Sequence, residues 1–111
     1  MRSICRASWQ SRAIDWALAG VLALPGIAAA ETHVIAVDGM QFQPATVTVK
    51  RGDKVVWQNK DIVPHTATAA GKFDSRNIAV NRNWSWTAKA PGRYDYVCTY
   101  HPTMKGSLVV Q

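Results

Sequence analysis

From Thr32 onward the apolar and polar positions alternate in twos rather than at helical spacing. The runs THVIAV (32–37), ATVTVK (45–50), DKVVWQN (53–59), RNWSWTA (82–88), RYDYVC (93–98) and GSLVV (106–110) are rich in Val, Thr, Trp and Tyr and read as strands. DGMQFQP, KRGD, KDIVP, AAGKFDSRN and AKAPG separate them and read as turns. Short strands at this spacing predict an all-β antiparallel sandwich or barrel. Alternation also assigns faces. Val47 and Val49 oppose Thr46, Thr48 and Lys50, and Trp84 and Trp86 oppose Ser85 and Thr87. Tyr94, Tyr96 and Cys98 share one parity, which turns the thiol inward with two aromatics. Trp57, Trp84, Trp86, Tyr94 and Tyr96 read as core.

The first thirty residues break this pattern. Arg2, Arg6 and Arg12 precede the apolar run WALAGVLALPGIAAA (16–30), which ends in small residues before Glu31. That order predicts a secretory signal peptide over residues 1–30, cleaved after Ala30, and one domain over residues 31–111. A retained membrane anchor is the alternative, but a spanning helix needs roughly 20 apolar residues. This run is shorter and holds Pro25 and Gly26. No two arginines are adjacent, so general secretion is expected, into the periplasm, with a mature form that does not span the membrane. The remaining 81 residues suffice for one modest core. They carry ten basic and six acidic side chains, a net charge of +4. The basic residues, Lys50, Lys54, Lys60, Lys72, Arg76, Arg82 and Lys105 among them, are scattered, which argues against a nucleic-acid stripe and suits an acidic protein partner or nothing specific.

Cleavage would leave Cys98 as the single thiol of a chain bound for an oxidising compartment, where it must be buried or ligated. It opens the stretch CTYHPTMKG, in which Cys98, His101 and Met104 stand three apart. A helix would give the same spacing, but Pro102 would fall inside it and both flanks are strand-like, so the segment reads as a loop between the two final strands. Thiolate, imidazole and thioether together suit a soft or borderline transition metal. The absence of carboxylates disfavours magnesium and calcium, and zinc has little use for a thioether. Two imidazoles and a thiolate in a trigonal plane with a weak axial thioether describe a blue copper site. The second imidazole is assigned to His65, after Pro64 in a turn, because His33 stands near a terminus expected to fray. Glu31-Thr32-His33 offers a separate possibility. A free amine, two amides and a third-position imidazole can wrap Cu(II) in a square plane, although a first strand would need those same amides.

These residues carry a resemblance. Val55, Trp57 and Asn59 in V-x-W-x-N, Pro64-His65, P-G-x-Y-x-Y-x-C over 91–98 and C-x-x-H-P-x-M-x-G over 98–106 resemble the cupredoxins, small blue copper proteins, and most closely their amicyanin and plastocyanin-like branch. The resemblance implies a Greek-key β-sandwich holding one copper per chain, with His65, Cys98 and His101 equatorial and Met104 axial. It implies that Asn59 ties the His65 loop to the backbone near Thr99. Thr66, Tyr100 and Thr103 stand where asparagine, proline and phenylalanine are usual in the branch, around the exposed ligand, and bear on the partner. The function implied is one-electron transfer by a monomer between transiently bound redox proteins, a c-type cytochrome or a periplasmic dehydrogenase, with His101 carrying the electron. Copper buffering or delivery is the competing class. Enzymes with a second copper centre need more histidines than the three present.

Overall fold

The computed structural model describes residues 29–111, so the leader expected over residues 1–30 lies outside the described residues except at its end. The period-two runs form the frame: β1 (Thr32–Asp38), β2 (Gln41–Gln43), β3 (Thr46–Val49), β4 (Lys54–Asn59), β5 (Thr68–Ala69), β6 (Phe73–Asp74), β7 (Asn83–Thr87), β8 (Gly92–Cys98) and β9 (His101–Val110). They build a sandwich of two sheets, ordered β2-β1-β4-β7 and β3-β9-β8-β5-β6. The all-β expectation holds. The expectation of antiparallel pairing holds only in part, since β1 runs parallel to β4 and β3 parallel to β9. A hairpin forces antiparallel pairing only between consecutive strands. Here β1 and β4 are separated by β2 and by β3, which crosses to the other sheet.

Two short strands, β2 and β6, lie inside segments read as turns, and β5 starts one residue before one. In DGMQFQP, Gly39 and Met40 both adopt positive φ (57° and 62°), the geometry of a two-residue hairpin whose twist matches its strands. Asp38 therefore pairs with Gln41, and β2 follows at once. β5 and β6 are two residues each, too short for an alternation to register.

The face assignments hold. Val49, Tyr94, Tyr96 and Cys98 are buried, and Val47, Trp84 and Trp86 are half-buried against the core. Trp57 is its centre, with ring centroids 5.4 Å from Tyr96, 5.5 Å from Phe73 and 5.4 Å from Trp84. Such aromatic pairs add about 0.5–1.5 kcal/mol each beyond the area they bury. Burial pushes the Tyr96 phenol up to about 12. Tyr96 lies opposite Gly106 on β9, where an added Cβ would meet its ring at 2.3 Å, so only glycine admits the ring there.

Strand direction separates two poles. β8 ends at Cys98 and β9 begins at His101 at one pole. β9 finishes at the other, beside the end of β3 and close to the start of β1 and β4.

Candidate metal centre

The CTYHPTMKG segment is more regular than a loop. A turn at Thr99–Tyr100 leads directly into β9, and the pairing shifts from Val97↔Lys105 to Cys98↔His101. Pro102, Thr103 and Met104 are thereby looped out of register within a hairpin, and Pro102 suits that place because it has no N–H to donate. The bulge leaves Pro102 and Thr103 exposed and Met104 buried, with His101 between the two extremes. Met104 thus lies on the same inner side as the wholly buried Cys98.

His65 arrives from the other side of the pole. Its backbone exchanges hydrogen bonds with Ile78, N–H to O at 3.2 Å and the reverse at 2.7 Å, an isolated bridge that fixes the residue after Pro64. Its ring is fully buried. Nε2 donates to Asp61 Oδ2 at 2.8 Å. An ionised carboxylate can only accept, so Nε2 carries the proton and Nδ1 presents its lone pair to Cys98 Sγ, 3.6 Å away. An ion about 2.0 Å from an imidazole nitrogen and about 2.3 Å from a thiolate, at a trigonal angle, sets those atoms about 3.7 Å apart. The two donors therefore stand at the separation that a shared ion requires. The ring of His101 lies beside that of His65, their centroids 5.6 Å apart.

Hydrogen bonds around the donors prepare them for a cation. Thr66 N–H donates to Cys98 Sγ at 3.3 Å and so fixes where the sulfur points. Asp61 also accepts from Met40 N–H (3.0 Å) and Ile62 N–H (2.9 Å). The Met40 amide first, then the His65 ring and the Ile62 amide, hold the Asp61 carboxyl below its ordinary range. The carboxylate that orients His65 thus stays ionised.

The tie expected of Asn59 is made by another residue. Asn59 Nδ2 donates to the carbonyls of Val63 (2.9 Å) and Ile78 (3.0 Å), and its Oδ1 accepts from Asp61 N–H (2.9 Å). All three of these side-chain hydrogen bonds lie within the loop that carries His65 and the strand-like segment opposite, and none reaches Thr99. Thr66 Oγ1 instead accepts from Thr99 N–H at 2.9 Å and lies 3.1 Å from Thr99 Oγ1. Thr66 is buried, so its place in the sequence bears on the site's rigidity rather than on an exposed contact surface. Asp61 was missed, and Thr66 was read for a different role. Asp61 offered a faint signal, a carboxylate four positions before a ligand imidazole in a short turn; Thr66 offered none beyond adjacency to His65.

His33 is far from this pole, on β1 opposite Val55, and it is not frayed: its Nε2 donates to Asp53 Oδ2 at 2.9 Å.

The Cupredoxin-like domain family matches residues 11–110. Amicyanin-alpha of Methylorubrum extorquens is 34% identical over 99 residues, spanning 84% of this chain and 83% of that protein. Amicyanin of Paracoccus versutus is 28% identical over 88 residues, 74% of this chain and 67% of that one. A solved structure of an amicyanin variant in its Cu(I) form superposes with a TM-score of 0.68 at 30% identity, covering 72% of this chain and 82% of that one.

Proposed function

The chain belongs to the cupredoxin family, on its amicyanin and plastocyanin branch, and from that premise we infer that His65, Cys98, His101 and Met104 would together hold one copper ion. The protein is a blue copper electron carrier, not an enzyme. Copper bound there supplies a one-electron Cu(I)/Cu(II) cycle. The observation that carries the reading is the buried Nδ1 to Sγ approach of 3.6 Å, with Nε2 locked on Asp61.

The residues around the donors favour a carrier over a delivery protein. Cys98 and His65 are wholly buried, and Thr66 joins their two segments through Thr99. A donor set held this firmly keeps its geometry in both oxidation states, as fast electron transfer needs. A delivery protein would have to open it. His101, partly exposed, is the route for the electron. In the His65 loop and the His101 hairpin Ile62, Tyr100, Pro64 and Pro102 are exposed, Ile62 by 89% and Tyr100 by 48%, as are Lys60 and Lys105. An apolar patch with a basic rim suits brief contact with an acidic redox protein, a c-type cytochrome or a periplasmic dehydrogenase. The working form is a monomer over residues 31–111, released into the periplasm by cleavage after Ala30. No helix among the described residues is long and apolar enough to cross a membrane.

The ligand set is tested with His101→Gly. Its Cu(II) spectrum should differ from that of the parent, and added imidazole should restore the parent band, because the vacated position is open to solvent. An unchanged spectrum would remove His101 from the set.

A further inference from the structure

At the pole away from Cys98 a second group of donors converges. His33 Nε2 lies 2.9 Å from Asp53 Oδ2 and 3.9 Å from Glu31 Oε1, and the donor atoms of the three residues all lie within 4.8 Å of one another. We propose that Glu31, His33 and Asp53 form a second metal site, for a zinc-class divalent cation. Two ligands of a tetrahedral zinc ion, each 2.0–2.1 Å from it, stand about 3.3 Å apart. The two observed separations from His33 bracket that value.

The three side chains divide the work. Asp53 is rigid: only 7% of its side chain is exposed, and Oδ1 accepts from Glu31 N–H (3.0 Å) while Oδ2 accepts from Lys50 N–H (2.9 Å). The Glu31 and Lys50 amides, then His33, hold its carboxyl down at about 2, so it is ionised whenever metal is offered. Each carboxylate oxygen keeps a second lone pair for a cation. Glu31 is 76% exposed and free to swing the remaining distance. His33 is 22% exposed, with Nε2 already aimed between the two. On binding, the cation takes the place of the proton between Nε2 and Oδ2, and the neutral imidazole carries its proton on Nδ1 instead. The concavity that these residues line, with Lys50 and Gln111 at its edge, leaves room for water as a fourth ligand.

One imidazole and two carboxylates suit zinc. Calcium and magnesium seek six or more oxygen ligands, and no sulfur is present for Cu(I). The geometry also argues against the square-planar Cu(II) chelate considered for Glu31-Thr32-His33. Thr32 and His33 stand in the parallel ladder opposite Lys54 and Val55, Glu31 O accepts from Lys54 N–H at 2.8 Å, and the chelate would have to break that edge. The side-chain site leaves the ladder whole and clamps the start of β1 to the turn between β3 and β4.

The test is calorimetric titration of zinc into the copper-loaded protein, with the thiolate-to-Cu(II) band watched throughout. The expected result is one zinc per chain in addition to copper, with binding weakened at least about tenfold in Glu31→Gln and in His33→Ala while the band is unchanged. No zinc uptake beyond copper would overturn the proposal. So would unchanged affinity in either variant. Loss in His33→Ala with none in Glu31→Gln would instead mark main-chain chelation. Asp53→Asn should also abolish binding, but its carboxylate holds two backbone amides, so the two more exposed variants decide.

Discussion

Asp61 shows what one side chain contributes. Its carboxylate fixes the His65 tautomer, turns Nδ1 toward Cys98 and places a negative charge one imidazole away from the copper position. That charge favours Cu(II) over Cu(I). Outer partners of metal ligands commonly change affinity about 10–100-fold. At the low end, a tenfold loss of Cu(II) relative to Cu(I) raises a one-electron potential by about 59 mV. Asp61→Asn is therefore expected to raise the reduction potential by about 60 mV in voltammetry, with the fold retained. A potential that stayed the same or fell would contradict this role. Thr66 acts through geometry rather than charge, since its hydroxyl joins the His65 segment to the Thr99 amide while its own N–H meets the Cys98 sulfur.

At the scale of elements, the sandwich depends on how its strand ends are pinned. Asp53, at the turn before β4, binds the Glu31 and Lys50 amides and so joins the start of β1 to the end of β3. Those amides, with His33, lower its carboxyl from 3.8 to about 2. A group whose pKa is depressed by folding stabilises the fold above its unfolded value, and that stabilisation is lost as pH falls through the folded value. The urea midpoint of the parent should therefore drop between pH about 4 and about 2, and Asp53→Asn should flatten that part of the profile. Equal slopes would show that the carboxylate does not pin the strands. The six long runs were legible because each buries one face, so that period two survives in the sequence. β5 and β6 were not, being two residues each, and neither was parallel pairing, which depends on β3 crossing between sheets.

Across the whole molecule the two poles do different work. The candidate ligand residues stand out because thiolate, imidazole and thioether are scarce and chemically distinct, so their spacing is visible even when the fold is unknown. Asn59, Asp61 and Thr66 were misjudged or missed because an amide, a carboxylate and a hydroxyl each have many possible partners. Only the folded path of the 59–66 segment selects among them. The sandwich brings His65 to Cys98 across 33 residues of sequence and leaves His101 only partly buried, an arrangement that suits a carrier. That assignment is tested most directly by the visible spectrum of the purified protein loaded with Cu(II). An intense thiolate-to-Cu(II) band that disappears in Cys98→Ser is predicted. The absence of such a band, or one that survives Cys98→Ser, would contradict a blue copper site at Cys98.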